Sequence, residues 1–256
     1  MKSDTDELLK AAEQIVRDAG AKARQMIHRA GVLEHKEHGD IVTDGDLCVE
    51  EHVISSLKKL FPDHGFISEE RGTERADAEY VWTLDPIDGT KYYARDVPLW
   101  AISLALSRGG KPQLGIVFSP ELDRLYSALT GNGATLNSRP IHCSVVKHLE
   151  QASICLEIPN RDSTADERKW ALAKMSELVE RAFRVRIIGV SSLGLCFCAA
   201  AGFDAFVSLS SPWHEWDVAA GRLILRESGG DYRTHGRRII AGPATLCDQI
   251  QALLGV

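Results

Sequence analysis

The stretch WTLDPIDGT, residues 82–90, joins an apolar β pattern to two carboxylates and a glycine. Pro86 disfavours helical geometry at Asp85, so a strand over 81–84 is expected to stop there in an extended or turn conformation. Gly89 permits tight backbone geometry just beyond Asp88. Carboxylates that converge from such a turn repel each other unless a cation stands between them. Hard oxygen ligands of this kind suit Mg2+, which keeps several waters and takes the rest of its shell from carboxylates and substrate phosphate. Taken alone, Asp-Pro-x-Asp-Gly is better read as an ordinary turn, because each of these residues is a turn former.

The flanking patterns place this stretch inside a layered chain. Upstream, Ser3 or Asp4 can cap a helix whose apolar positions Leu8, Ala12, Ile15, Ala19, Ala23, Met26 and Ile27 follow helical spacing up to Gly31. A polar loop over 35–40, the segment IVT and a helix over about 46–60 follow, with Pro62 closing the helix. GFISEERG then reads as a short strand ending in acids. Downstream, residues 99–130 alternate as an antiparallel meander. From ASICLEI onward strands and helices alternate, with helices expected over 164–182 and 217–228 and a further one at SSLGLCFCAAAG. Such alternation indicates α/β architecture. The expected organisation is two subdomains sharing a cleft, residues 1–140 and 141–256.

Composition narrows the function classes. The 256 residues are 44% hydrophobic with a formal net charge of −6, which leaves no global basic field for a nucleic acid polymer. An acidic protein that handles an anionic substrate needs local positive charge, and metal ions are one way to supply it. The start MKSDTDELLKAAEQ lacks the apolar core of a secretory signal, and no apolar run reaches the length of a membrane span. The six cysteines show no paired-ligand spacing, so reduced thiols in a cytoplasmic protein are expected. His35 and His38, with His52 and His64, lack the further ligands that zinc requires. Gly131-x-Gly133 lacks the third glycine of a dinucleotide fingerprint, and a hairpin turn explains it.

Four motifs in order carry a stronger signal than any one of them. DIVTDGD (40–46), FISEE (66–70), WTLDPIDGT (82–90) and WDVAAG (216–221) with Glu227-Ser228-Gly229-Gly230 resemble the segments of the inositol monophosphatase family, within the wider group that includes fructose-1,6-bisphosphatase and bisphosphate nucleotidases. Ser68 stands where the family carries glycine. The resemblance implies an αβαβα sandwich with a metal cleft between the subdomains and a Mg2+-dependent phosphatase using two or three ions. It implies Glu69, Asp85, Asp88, the carbonyl of Ile87 and Asp217 as metal ligands. Thr90, paired with Asp46, would polarise the attacking water, and Glu70 would support that water or a further metal. The amides of Gly89 and Thr90 would hold phosphate oxygens. The mechanism implied is direct water attack on phosphorus, with no phosphoenzyme.

The substrate side departs from the pattern. The glutamate on which animal members lean for the inositol ring falls on Ser208 here, and LSSPWHEWD is about two residues longer than the usual spacing. Lys91, next to the phosphate turn, and Trp213, near Asp217, are candidate substrate contacts; Lys36 is a candidate cation near the metals. The expected substrate is a small phosphorylated metabolite: inositol monophosphate or a similar polyol or sugar phosphate. The alternatives are histidinol phosphate, a 3',5'-bisphosphate nucleotide, and a non-catalytic regulatory role on the same scaffold. A homodimer and sensitivity to lithium are further family expectations.

Overall fold

The computed structural model describes residues 2–27, 32–35, 41–159, 163–209 and 213–256, with the side chains of 2–4 and 32–35 excepted. The expected cap at Ser3 or Asp4, together with Lys36, His38 and Asp40, therefore lies outside what is described.

Five layers stack in the order αβαβα, as expected. The first holds α1 (Lys2–Met26) and α2 (Asp44–Leu60). The helical-spacing stripe Ala12, Ile15, Ala19 and Ala23 of α1 is buried against Val49, Val53 and Leu57 of α2 and against one face of the first sheet. Two short strands, β1 (Val32–His35) and β2 (Ile41–Thr43), pair in front of α2.

The first sheet comprises β3 (Gly65–Ser68), β4 (Gly72–Glu74), β5 (Tyr80–Asp88), β6 (Ala101–Arg108), β7 (Lys111–Ser119), β8 (Arg124–Leu129), β9 (Ala134–Leu136) and β10 (Arg139–Ile141). Its order is β10-β9-β8-β7-β6-β5-β3-β4, and β3 with β5 is its parallel pair. The short helix α3 (Thr90–Tyr93) follows β5.

One sequence expectation is corrected here. The strand does not stop at Leu84 but runs through Asp85, Pro86 and Ile87 to Asp88. Against β6, Asp85 faces Ser103 while Asp88 faces Ala101, so β5 carries one extra residue between them. That is a bulge, and Pro86, which has no N–H to offer a ladder, is tolerated at one. Pro86 displaces the pairing; it does not end it.

The third layer is α5 (Ser191–Ala199) and α6 (Glu215–Glu227), packed between the two sheets. α5 is buried almost all round, through Leu193, Leu195, Cys196 and Cys198, as an interior helix must be. α6 lies tight on β7: a Cβ on Gly115 would meet the Ala220 carbonyl oxygen at 2.8 Å. The second sheet has the order β12-β11-β13-β15-β14. Its strands are β11 (Ser153–Glu157), β12 (Arg184–Ile187), β13 (Ala205–Ser208), β14 (Asp231–His235) and β15 (Arg238–Gly242). α4 (Ala165–Arg181) and α7 (Ala244–Leu254) cover its outer face.

The six cysteines are unpaired, five of them buried. Among the described residues, no helix is long and apolar enough to cross a membrane.

Candidate active site

The parallel pair β3–β5 brings the first acids together. Ser68 is in register with Leu84, so the next residue on each strand, Glu69 and Asp85, emerges at the same carboxyl end; the Glu69 amide donates to the Leu84 carbonyl at 3.2 Å. Carboxyl ends of parallel strands are where α/β sheets place ligand sites. On its other side Asp85 faces Ser103, whose hydroxyl donates to the Trp216 carbonyl at 3.1 Å. That bond fixes the start of α6 beside β5 and brings in Asp217, whose carboxylate accepts the His214 amide at 2.6 Å. Asp88, beyond the bulge, accepts the Ser192 amide at 2.8 Å from the start of α5. Two layers, the first sheet and the α5–α6 layer, thus contribute to one place.

A cleft of about 560 Å3 opens there. Glu69, Asp85, Ile87, Asp88, Gly89, Thr90, Lys91 and Asp217 line it, as does Arg95, which sequence reasoning did not single out. Arg95 sits one turn beyond Lys91, bonded to its carbonyl at 3.0 Å, and that spacing is the signal that could have found it.

The electrostatics are those of acids without enough counter-charge. Asp85 is 2% exposed and Oδ1 has no hydrogen-bond partner among the described residues. Burial holds its carboxyl well above the ordinary range, and Glu69, Asp88, Asp217 and Asp46 push the same way. Burial likewise drives Asp88 up to about 8, with Asp217 adding to it and the Ser192 hydrogen bonds opposing. Among the described residues, no three acids, histidines or cysteines converge as a closed metal shell. The fit to a hard cation rests on the all-oxygen donor set and on the orphaned oxygen of Asp85, which lines the same cleft.

A second unit adjoins the first. Thr43 and Asp46 form a capping box at the start of α2: the Thr43 amide and hydroxyl both donate to Asp46 Oδ2, at 2.8 and 2.5 Å. Asp46 Oδ1 is left for the Thr90 hydroxyl at 3.2 Å, which also lies 2.9 Å from the Ile87 carbonyl. Burial raises Asp46 to about 6, against the hydrogen bonds from Thr43 and Thr90. Gly89, with φ of 97°, starts α3; a Cβ there would meet the Leu99 carbonyl oxygen at 2.8 Å.

The remaining candidates lie elsewhere. Glu70 is not among the residues lining the cleft, and its amide donates to Glu50 Oε1 at 3.2 Å. Ser208 is 1% exposed at the end of β13, opposite Glu157 on β11. Trp213 does not line the cleft either; its indole nitrogen donates to the Arg237 carbonyl at 3.2 Å. Glu50 and Glu157 escaped sequence reasoning. Glu50, fully buried on α2, gathers the Ser68 hydroxyl and the amides of Glu70 and Arg71. An acid among Val49, Val53 and Ile54 on the buried face of a helix was the available signal. Burial pushes Glu157 up to about 7, with the Ser191 and Ser208 hydroxyls favouring its charged form and Asp217 opposing it.

The sequence profile of the inositol monophosphatase family matches residues 4–247. "Nus factor SuhB" of Pseudomonas aeruginosa is 33% identical over 228 residues, 87% of this chain and 83% of that protein. "Fructose-1,6-bisphosphatase/inositol-1-monophosphatase" of Aquifex aeolicus is 34% identical over 223 residues, covering 85% and 83%. The crystal structure of extragenic suppressor protein suhB from Bartonella henselae superposes with a TM-score of 0.90 at 26% identity, over 97% of this chain and 98% of that one.

Proposed function

From the premise that the chain belongs to the inositol monophosphatase family and is a phosphoric monoester hydrolase, we propose that it hydrolyses a polyol or sugar phosphate, inositol monophosphate first among them, in a Mg2+-dependent reaction. One observation carries this reading: the orphaned oxygen of buried Asp85, surrounded by Glu69, Asp88 and Asp217 in one cleft. Those four acids and the Ile87 carbonyl would hold two or three Mg2+ ions. Bound there, Mg2+ supplies the positive charge that acidifies water and neutralises the phosphate oxygens and the leaving alkoxide.

The chain's own residues supply positioning and proton acceptance. The Thr90 hydroxyl donates to Asp46 and keeps lone pairs free to accept from the attacking water. A threonine is too weak an acid to act alone, and Asp46, raised to about 6, is a base suited to near-neutral pH. The turn at Gly89 and Thr90 offers its amides to the phosphate, with Lys91 and Arg95 on the same wall adding positive charge. Ordering the reactants in this way lowers the barrier without a covalent intermediate.

The test is phosphate release from inositol 1-phosphate, fructose 1,6-bisphosphate, histidinol phosphate and adenosine 3',5'-bisphosphate, with Mg2+ and with chelator. Mg2+-dependent release with inositol phosphate preferred is the expected result. A preference for histidinol phosphate or the nucleotide overturns the substrate assignment. Release that persists in chelator overturns the metal assignment. A regulatory role takes its support from the name of the Pseudomonas relative, and silence on every ester would bring that role to the front.

A further inference from the structure

One acid beside the cleft has no task in the chemistry above. Glu157 ends β11, where Ile154, Cys155 and Leu156 are buried and the two end residues, Ser153 and Glu157, are partly exposed. Its Oε1 accepts the Ser191 hydroxyl at 2.7 Å, and Ser208, its register partner on β13, brings a second hydroxyl that favours the charged carboxylate. The neighbouring amide, that of Ser192, holds Asp88, and Gly189, two residues before Ser191, lines the cleft. Two consecutive residues at the start of α5 therefore tie Glu157 to the wall that carries Asp88. Glu157 is not itself among the residues lining the cleft, but its charge acts on Asp88 and that of Asp217 acts on it, so the three carboxylates share one electrostatic neighbourhood.

An acid is an expensive way to tie a helix to a strand, because its charge is buried near other negative charges. A glutamine or threonine would accept the same two hydroxyl protons without that cost. A carboxylate offers about four lone-pair directions, and two serine hydroxyls occupy two of them. The remaining acceptor capacity suits a neutral hydroxyl, since a charged oxygen accepts from O–H more strongly than a neutral one does. It repels a further phosphate or carboxylate at that end.

Resting on the phosphatase reading, we infer that Glu157 is a specificity-determining residue that accepts a hydrogen bond from a hydroxyl on the substrate's alcohol portion. The enzyme thereby favours phosphate esters of polyhydroxylated alcohols over esters whose alcohol carries no hydroxyl or carries a second anion. Register adds a geometric prediction. Glu157 and Ser208 are direct partners on parallel strands, about 4.8 Å apart as neighbouring strands are. A carboxylate exchanged between the two positions stays at the same corner.

The experiment compares inositol 1-phosphate with phenyl phosphate, whose alcohol portion offers no further hydroxyl. It uses the full chain, Glu157→Gln and the exchange variant Glu157→Ser/Ser208→Glu, each at several Mg2+ concentrations. Glu157→Gln is expected to lower kcat/KM for inositol 1-phosphate about tenfold more than for phenyl phosphate, mainly through KM. The exchange variant is expected to recover most of that discrimination even where Glu157→Gln melts early. Equal losses on the two esters, or a loss that extra Mg2+ restores, would show a structural or metal role and overturn the inference. Unaltered discrimination in Glu157→Gln overturns it as well. A parent protein that cleaves phenyl phosphate but not inositol phosphate keeps the phosphatase reading and removes this one; a parent that cleaves neither removes both.

Discussion

Asp46 and Glu50 leave the buried face of α2 one turn apart, and their carboxylates end in different parts of the site. Asp46 holds Thr90, at the start of α3, while Glu50 holds the turn that presents Glu69. One helix face thus sets the separation between the water-polarising pair and the first metal ligand. Residues four apart on a helix share a face, so this separation is fixed by the helix geometry of α2.

Replacing Glu50 by alanine leaves the Ser68 hydroxyl and two amides without their acceptor, and Arg71 without a partner 3.3 Å away. The expected cost is about 2–4 kcal/mol in urea unfolding. Activity should fall and half-maximal activity should require more Mg2+, because Glu69 loses its support although Glu50 touches no substrate. An unchanged Mg2+ titration in a folded Glu50→Ala protein counts against the positioning role.

Asp46→Asn keeps the shape of the capping residue but removes the proton acceptor behind Thr90. Its kcat should drop roughly 100- to 10,000-fold with KM little altered. In the parent protein kcat should decline below about pH 6, where Asp46 takes up a proton. That acid limb should be missing from the residual activity of Asp46→Asn, and its persistence would assign it to another group.

Metal-free stability should fall as pH rises. Asp46, Glu157 and Asp88 are raised to about 6, 7 and 8 in the folded chain, well above the ordinary carboxylate range. Between about pH 4 and 8 the folded state therefore binds more protons than the unfolded one, and the slope of stability against pH is negative. The two-unit shift of Asp46 alone corresponds to about 3 kcal/mol. Melting in chelator should show a falling temperature from pH 5 to 8.5, and Mg2+ should raise it more at the upper end, where its ligands are ionised. A flat curve, or a Mg2+ effect that grows toward acid, falsifies this account.

Gly89→Ala should cost stability and nearly all turnover. The position has φ of 97°, and the added methyl would meet the Leu99 carbonyl oxygen at 2.8 Å. Left-handed backbone costs a non-glycine residue about 1–2 kcal/mol before that clash is counted. Wild-type melting and wild-type phosphate release from this variant would show that the turn relaxes freely.

The layer order and most elements were legible because each sheet or helix declares its buried face by period: α1 through Ala12, Ile15 and Ala19, and the meander over 99–130 through its alternation. Strands of three residues, such as β4, β9 and β10, carry too few positions for a period. Pro86 misled because its local effect resembles a strand end, whereas a partner strand already in register accommodates it as a bulge. In the site, the acids Glu69, Asp85, Asp88 and Asp217 could be named from motif resemblance, and the cleft brings all four together. Glu157 could not be named, because what marks it is its register partner Ser208 and the hydroxyl of Ser191, both distant in sequence.

The close approach of Gly115 to Ala220 makes the thickness of a layer an inherited quantity. Ala220 lies three residues beyond Asp217, about 4.5 Å along the axis of α6. A side chain at position 115 would act as a wedge under that helix and lift the Asp217 end of the cleft. A lineage could then lose its chemistry with every acid intact, through a change in mid-sheet that touches neither cation nor substrate. Sequence surveys that count only acids would score such a chain as active, and the residue that tells the two apart is a glycine.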